Sequence, residues 1–512
     1  MKGKNIFSSV RANKPGKNAF DLSHERKQSM SMGGLFPILL QETVPGDNFK
    51  CSSEVFMRFA PMLAPVMHRV NVYTHYFFVP NRLVWDDWQK FITGGEKGTD
   101  DPTFPQIAYN DANKALFAKG TLADHFGIPT NDGEVITQNI DISAIPFRSY
   151  QLIVNEYYRD QNLTDPTTID KGSSTTNIPE IMQLRTRPWE KDYFTSALPW
   201  PQKGGNVGIP VDFNYKDVSG VQLEDGSDPT LDAPLQSNAT GQLKSQGDIP
   251  PGARIENLEE EGVTVDINDL RKSLNLQKWL ERNARSGSRY IESILSHFGV
   301  QSSDARLQRP EYLGGGKSPV VISEVLNQAG SNDPANQTDL APVGTMSGHG
   351  ISVGKSNTFS RRFEEHGFII GIMSVLPRTA YSQGVERHWK RTDKFDYYWP
   401  EFAHLGEQEV LNWELYFDKA GSNNYATFGY QSRYAEYKYK QSSIHGDFRD
   451  ELEYWQMGRK FDAPPALNTN FIESDPTNRI FAVEDETDKL YVQIFNRIKA
   501  IRPMPYYGEP TL

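Results

Sequence analysis

The feature that most constrains the fold of this chain is a set of β-branched and aromatic runs separated by very long connections. Residues 55–59 (VFMRF) and 71–79 (NVYTHYFFV) have the composition of strands and stop near a proline. Residues 367–376 (GFIIGIMSVL) are continuously apolar, which is typical of a strand buried on both faces. Residues 410–417 and 490–498 alternate and predict two further strands. The pattern favours a mainly β chain whose barrel or sandwich core carries large insertions.

Helical patterns are fewer, and they do not alternate regularly with the strands as a parallel α/β fold would require. Apolar residues recur at helical spacing in residues 82–92, 149–160 and 270–280, and Asn268 or Asp269 is a candidate cap for the last of these. The chain is therefore expected to hold short helices within its connections.

One long stretch, from Gly205 to Gly262, differs in composition from the rest. It is rich in Gly, Pro, Asp, Ser, Asn and Gln, and its periodicity is weak. An insertion of this length inside a compact domain is rarely an ordinary connection. We expect a functional projection or a disordered loop.

Charge is distributed unevenly along the chain. The formal net charge is −11, yet the first twenty residues contain no acid and five cations: Lys2, Lys4, Arg11, Lys14 and Lys17. A basic arm on an acidic body can tether nucleic acid or assist assembly. A solvated, disordered tail is the alternative.

Motifs for catalysis or for cofactors are incomplete. Residues 314–318 (GGGKS) match the end of a phosphate-binding loop, but Glu311 stands where the full motif needs a glycine. We predict a turn before a strand there, and no cofactor. The ten histidines include no pair at metal-binding spacing, and His349, between two glycines, is expected in a turn. The single cysteine, Cys51, leaves no intrachain disulfide and is expected to be a buried, inert thiol.

We recognise no segment in the sequence that would target the chain to a membrane. The N-terminus lacks the apolar core of a signal peptide, and no apolar run approaches the length of a membrane span. We expect synthesis in a cytoplasm and no membrane insertion.

Residues 425–440 (YATFGYQSRYAEYKYK) interleave aromatic side chains with cations. Stacking of bases on rings beside cations is one way of binding single-stranded nucleic acid. Burial of an aromatic strand in a core or a subunit interface is the alternative, and we favour it. The candidates for either role are Arg433, Tyr434, Tyr437 and Lys438.

Five long blocks carry a likeness to a known family. They are FDLSHERKQSMSMGGLFPILLQETVPGD (20–47), YFFVPNRLVWDDW (76–88), FTSALPWPQKG (194–204), RSGSRYIESILSHFGVQSSDARLQRPEYLGG (285–315) and GFIIGIMSVLPRTAYSQGVERHW (367–389). In this order they resemble the major capsid protein of the Microviridae, small single-stranded DNA phages, in their gokushovirus-like branch. The likeness spans nearly the whole chain except 205–262, where that family typically varies.

The resemblance implies a single eight-stranded antiparallel viral jelly roll with long, partly helical loop insertions over residues 21–512, after the basic arm of residues 1–20. It implies a virion protein without enzymatic activity that builds a T=1 icosahedral shell around circular single-stranded DNA. Expected partners are other coat subunits, the DNA, a small basic DNA-packaging protein, a pilot protein, an internal scaffolding protein and a host cell surface receptor. The stretch from Gly205 to Gly262 is the candidate three-fold protrusion for host recognition, and the cations of the arm are expected to face DNA.

Two other classes stay open on the residues alone. Abundant Trp and Tyr in a sandwich-like chain would also fit a β-rich carbohydrate-active enzyme or lectin. A nucleic-acid-processing enzyme would need a metal or phosphate site, which the sequence does not reveal. Particle size separates these classes, because a coat protein forms megadalton shells and the others form small oligomers.

Overall fold

The computed structural model describes residues 16–131, 133–205, 207–208, 267–286, 289–301, 303–326, 346–356, 358–421 and 423–507, together with the backbone of short strands between 212 and 264. The chain divides into two compact units. One is made of Met1–Pro201 and Ser286–Leu512, and the other is Gln202–Arg285.

Antiparallel strands dominate the larger unit, so the prediction of a mainly β chain is confirmed. In chain order the strands are β1 (Asn18–Asp21), β2 (His24–Met30), β3 (Phe36–Thr43), β4 (Asn48–Phe59), β5 (Val70–Pro80), β6 (Gln106–Tyr109), β7 (Ile140–Ser143), β8 (Asp212–Tyr215), β9 (Val221–Gln222), β10 (Gln236–Ser237), β11 (Leu243–Lys244), β12 (Arg254–Ile255), β13 (Glu260–Thr264), β14 (Glu311–Pro319), β15 (Val321–Leu326), β16 (Met346–Lys355), β17 (Phe359–Arg362), β18 (Gly367–Pro377), β19 (Glu407–Leu411), β20 (Thr427–Ser432) and β21 (Leu490–Arg502).

The helices are short, with one exception of 20 residues. They are α1 (Trp88–Thr93), α2 (Leu122–Phe126), α3 (Ile145–Ile153), α4 (Ile178–Ile181), α5 (Ile267–Ser286), α6 (Tyr290–Phe298), α7 (Asn412–Leu415), α8 (Ala435–Lys438) and α9 (Thr469–Ile472). A π-helical turn, Val154–Tyr158, extends α3. Turns of 3-10 helix lie at Asn81–Leu83, Lys114–Phe117, Arg387–Lys390, Lys394–Asp396, Pro400–Phe402, Gly446–Arg449 and Glu453–Trp455.

The larger sheet has seven strands and is built on the long pairing of β21 with β4. Its strand order is β1-β21-β4-β16-β15, with β2 also paired to β21 and β17 to β4. The register runs from Leu490↔Phe59 to Ile501↔Asn48. Every second residue of β21 is buried and the residues between them face outward, which confirms the alternation predicted for residues 490–498.

The smaller sheet, β14-β5-β18-β3, is covered on both faces. Tyr76 of β5 packs in the core shared with the larger sheet, whereas its neighbour Phe77 packs in a second core formed with α2, α3 and α4. Ile369 and Ile370 of β18 divide between the same two cores. Because both faces of this sheet exclude water, its central strands have the continuously apolar sequences seen in residues 71–79 and 367–376.

A third core lies beneath the hairpin of β19 and β20, and it corrects one strand prediction. Residues 410–417 do not form a single strand, because β19 ends at Leu411 and α7 follows. The backbone N–H of Leu411 donates to the Glu414 carboxylate over 3.0 Å, which favours the helical turn. Trp413 and Leu415 are still buried. The alternating apolar residues of this segment therefore reflect the burial of a short helix.

Two turn predictions are wrong, and the reason is close packing of backbones. The GGGKS run lies within β14, and a Cβ at Gly315 would stand 2.5 Å from the carbonyl oxygen of Thr74 on β5. His349 lies within β16, where a Cβ on its neighbour Gly348 would stand 2.2 Å from the carbonyl oxygen of Ala64. Glycine is required at both places because another backbone segment passes too close for a side chain.

The predicted helices exist, but their ends differ from the prediction. Within residues 82–92 the α-helix begins only at Trp88. The second helix begins at Ile145, before the predicted start. The helix α5 begins at Ile267, so Asn268 and Asp269 lie inside it and do not cap it.

The smaller unit, Gln202–Arg285, contains nested antiparallel pairs. β8 pairs with β13, β9 with β12, and β10 with β11. Each pair lies within the sequence span of the pair before it. The described strands of this segment therefore pair in the nested order of a single long hairpin.

Candidate assembly and nucleic-acid surface

A group of exposed aromatic side chains lies between β18 and the end of α8. Trp389 is 75% exposed and Tyr425 is 69% exposed. We call this group the aromatic surface, and its members are Trp389, Phe395, Tyr397, Tyr398, Trp399, Tyr425 and Tyr437. Large rings left in water cost free energy in proportion to their area, so clusters of them mark interaction sites.

Buried Tyr434 anchors the aromatic surface to the hairpin of β19 and β20. Its backbone adopts the left-handed conformation, with φ of 62°, and starts α8. Its ring packs edge-on against Tyr398, with 5.0 Å between ring centroids. Its hydroxyl accepts from the backbone N–H of Trp399 and donates to the Tyr397 carbonyl oxygen, each over 3.4 Å. One buried side chain thus ties the hairpin to the segment with the exposed rings.

Cations lie against these rings. The Arg391 guanidinium is 4.1 Å from the centroid of the Tyr437 ring and pairs with Glu436 over 3.1 Å. The Lys390 ammonium is 4.9 Å from the Tyr425 ring. Such contacts are attractive because the faces of aromatic rings carry negative potential. The surface is therefore both apolar and cationic.

A buried acid network supports the turn Arg387–Lys390. Glu414 is 4% exposed and accepts a hydrogen bond of 3.0 Å from the Tyr193 hydroxyl. The Arg387 guanidinium lies 3.6 Å from the same carboxylate. Burial raises the pKa of Glu414 above its ordinary value. The network fixes the start of the aromatic surface against the third core.

The structure brings together the four residues that the sequence singled out. The Arg433 guanidinium is 5.2 Å from the ring of Tyr434, and the Lys438 ammonium donates to the Arg433 carbonyl oxygen over 3.0 Å. Tyr437 is 49% exposed. The interpretation of residues 425–440 as one buried strand is wrong, because β20 gives way to α8. Contact with DNA or with another subunit stays a prediction.

Sequence reasoning missed the neighbouring segment, residues 387–402 (RHWKRTDKFDYYWPEF), which supplies most of the aromatic surface. Its signal was the same interleaving of rings and cations that drew attention to residues 425–440.

Most of the predicted basic arm lies outside the described residues, namely Lys2, Lys4, Arg11 and Lys14. Lys17 is exposed, and its ammonium donates to the Gly46 carbonyl oxygen over 2.8 Å. It directly precedes β1, an outer strand of the seven-stranded sheet. The described end of the arm therefore leads into that sheet.

A second feature of the larger unit is a cleft of about 720 Å³ whose lining includes His75, Tyr158, Arg187, Glu190 and Lys317. His75 shares a 2.7 Å hydrogen bond with the Tyr158 hydroxyl. Burial, with the nearby Arg187 charge, lowers the pKa of His75 to about 4. The imidazole is therefore neutral at pH 7.

The lowered pKa of His75 predicts acid sensitivity. A pKa that is depressed on folding contributes stability that is present above the unfolded value, near 6.5, and is lost as pH falls through the folded value, near 4. Between pH 6.5 and pH 4, the unfolding free energy of the unmodified chain is expected to fall by up to about 3 kcal/mol more than that of His75→Gln. Urea denaturation of the subunit from pH 7 to pH 4 measures it. His445→Gln, at an exposed position, is the control, and equal pH profiles for His75→Gln and the unmodified chain would contradict the assignment.

Cys51 lies in β4, and burial raises the pKa of its thiol to about 12. The expectation that this thiol is buried is confirmed, and the raised pKa disfavours its reactive thiolate form. Within the described ranges, no group of three or more His, Cys, Asp or Glu side chains could hold a metal ion. No helix in the same part of the chain is long and apolar enough to cross a membrane.

Comparison with known proteins identifies a family for this chain. The family model described as "Capsid protein (F protein)" matches residues 8–512. The "Capsid protein VP1" of Chlamydia phage 1 is 36% identical over 99% of this chain and 98% of its own length. The proteins of the same name from Bdellovibrio phage phiMH2K and Spiroplasma virus 4 are 35% and 30% identical, over 97% and 99% of this chain and 95% and 97% of their own lengths.

These matches cover both units and confirm the resemblance drawn from the five sequence blocks. They identify a structural component of a virion that assembles into a multi-subunit capsid, and they set aside the enzyme alternatives. The chain therefore belongs to the capsid protein (F protein) family of the Microviridae.

Proposed function

We propose that this chain is the major coat subunit of a T=1 icosahedral shell that encloses circular single-stranded DNA. The observation that carries the proposal is the family match over residues 8–512. The shell is built by rotational symmetry, which needs repeated contacts and no chemistry. Light scattering of purified particles tests it, since megadalton particles containing DNA are expected and small DNA-free oligomers would contradict it.

The fold within that shell is the eight-stranded viral jelly roll. The strand order supports it: β2, β21, β4 and β16 are neighbours in one sheet, and β3, β18, β5 and β14 are neighbours in the other. Among these eight, successive strands cross between the two sheets, except that β5 and β14 pair within one sheet, as in a double-sheet roll of two Greek keys. The long connections β5–β14 and β18–β21 carry the insertions.

The aromatic surface is buried against a neighbouring coat subunit. Rings of Trp and Tyr with adjacent arginines are the residues enriched in protein interfaces. Arg433, Tyr437 and Lys438 belong to this contact, and the buried Tyr434 holds them in place. DNA contact by the same group is the second candidate role, favoured by the lysine and arginine beside the rings.

The basic arm faces the packaged DNA. Neutralising Lys2, Lys4, Arg11 and Lys14 with glutamine is expected to lower the DNA content per particle and to make DNA retention more sensitive to salt, because each phosphate contact releases counterions. Absorbance ratios and nuclease protection of purified particles measure both. Lys17→Gln is tested separately because it also removes the hydrogen bond to Gly46. Unchanged DNA content and unchanged salt stability in the neutralised arm would contradict this role.

The stretch from Gly205 to Gly262 forms the three-fold protrusion and contacts a host cell surface receptor. Its place within a separate compact unit and its nested strand pairs support a projection. Deleting residues 206–261 is expected to leave shells that assemble without knobs and fail to adsorb to host cells. Shells that keep their knobs would contradict the assignment, and knobless shells that adsorb normally would contradict the receptor role.

The remaining partners follow from the same proposal. They are the small basic DNA-packaging protein and the pilot protein inside the particle, and the internal scaffolding protein during assembly in the host cytoplasm.

A further inference from the structure

The outward face of the seven-stranded sheet is cationic, although the chain as a whole has a net charge of −11. The registers of β1, β2, β16, β17 and β21 against one another and β4 define which side chains share this face. Among the described residues it carries three carboxylates (Asp21, Glu25, Glu54) and seven cations (Lys27, Lys50, Arg58, Lys355, Arg362, Arg497, Lys499). Positive charge is thus concentrated on one side of an acidic protein.

Two of these cations face each other directly. Lys50 and Lys499 are register partners on β4 and β21, and both are exposed. Like charges directly opposite across strands are destabilising. Asp21 on β1 is the register partner of Lys499, but in the described part of the chain no carboxylate lies within ion-pair distance of either ammonium. We call these two facing ammonium groups the Lys50–Lys499 row. Their mutual repulsion favours the binding of an anion at this surface.

Aromatic rings lie beside the cations on the same face. Phe56 is the register partner of Gln493, and Phe495 is the register partner of Glu54, so the two rings are diagonal neighbours on adjacent strands. The Arg58 guanidinium is 5.1 Å from the Phe56 ring, and that of Arg497 is 5.7 Å from the Phe495 ring. Both rings are half-buried on an open sheet face.

Two carboxylates, Glu54 and Glu25, reduce the positive charge of this face without cancelling it. Glu54 lies 3.5 Å from Lys355 and 3.6 Å from Arg497, and Glu25 lies 4.0 Å from Lys27.

From this arrangement we infer that the outward face of β4 and β21 binds a single-stranded polynucleotide. Phosphates would lie on the Lys50–Lys499 row, and unpaired bases would stack on Phe56 and Phe495. An open sheet face on which half-buried rings are flanked by cations is suited to single strands, whose bases are free to stack, and not to a duplex. The inference rests on the proposed function, the enclosure of single-stranded DNA, and names the surface that contacts it.

The test compares three variants of the full-length chain by fluorescence anisotropy with labelled oligothymidine. Lys50→Gln/Lys499→Gln is expected to weaken binding and to reduce the slope of log affinity against log salt by about 1.4, since each lost phosphate contact removes about 0.7 for single strands. Phe495→Ala is expected to weaken binding about tenfold with little change in slope. Lys97→Gln/Lys119→Gln removes the same charge from exposed loop positions and is expected to leave both quantities unchanged.

Particle assembly and DNA content are measured for the same variants, which separates the inference from the proposed function. Particles of the unmodified chain that contain no DNA would overturn the proposed function. Normal packaging with equal affinities and slopes in the sheet variants would overturn the inference alone. Loss of assembly with unchanged oligothymidine affinity would also overturn it, because the face would then contact another protein.

Discussion

Replacing Trp389 with aspartate is expected to abolish shell assembly and to leave the subunit folded. The indole is 75% exposed in the isolated chain, so the substitution removes little packing within the subunit. Substitutions at such positions change folding stability by about 0.5 kcal/mol or less. In the proposed shell, the same position is covered by a neighbouring subunit.

The expected effect on assembly is large because it has two sources. Truncating a buried tryptophan at the centre of an interface costs about 2 kcal/mol or more, which is more than tenfold in affinity. A carboxylate in its place must also be desolvated without a partner, which costs further free energy. Every subunit of a symmetric shell carries the contact, so the penalty is repeated around the particle.

Sedimentation of co-expressed coat and scaffolding proteins measures the yield of shells, and thermal unfolding of the subunit checks its fold. Val135→Asp is the matched control, since Val135 is 70% exposed and lies outside the aromatic surface. Wild-type shell yield from Trp389→Asp would contradict the assignment of the aromatic surface to a subunit interface.

Replacing Arg148 with methionine is expected to cause the largest loss of folding stability. Arg148 is fully buried in α3, and its guanidinium donates to the carbonyl oxygens of Val84, Gly172 and Ser174 over 3.1, 2.9 and 3.1 Å. It also donates to the Thr175 hydroxyl over 3.1 Å. Methionine fills similar space and donates nothing, so buried acceptors lose their partners.

Each unsatisfied buried acceptor costs about 1–3 kcal/mol, so we expect a loss on the order of 3 kcal/mol or more in the free energy of unfolding. Urea denaturation of the subunit measures it. Arg306→Met, at an exposed position, should change the free energy by less than about 0.5 kcal/mol. A similarly small change for Arg148→Met would show that the loop at residues 172–175 does not depend on this side chain.

The sequence was most informative where one physical cause determines the pattern. The strands at residues 71–79 and 367–376 were predictable because burial on both faces demands a continuously apolar run. The strand at residues 490–498 was predictable because one of its faces is buried and the other is exposed. The resemblance of five long sequence blocks to a known family also predicted which family the chain belongs to.

Where the sequence misled, the cause was a contact from a distant part of the chain. Gly315 in the GGGKS run and Gly348 beside His349 resemble turn residues, yet they are fixed by the backbones of Thr74 and Ala64. The alternation in residues 410–417 could not distinguish a strand from a short helix over the third core. Distant contacts of this kind are decided by tertiary packing, which local patterns do not encode.

The candidate site was found only in part for the same reason. Residues 425–440 attracted attention through their own composition, but their partner segment, residues 387–402, joins them through the buried ring of Tyr434. The Lys50–Lys499 row was not predictable, because its two members are brought together by the register of β4 with β21.

Electron microscopy of the expressed protein, alone and with the proposed scaffolding protein, is the most direct test of the coat-subunit role. The coat-subunit role predicts uniform T=1 icosahedral shells with a knob at each three-fold axis, and shells without knobs when residues 206–261 are deleted. Small soluble oligomers as the sole product, even with the scaffolding protein present, would contradict it.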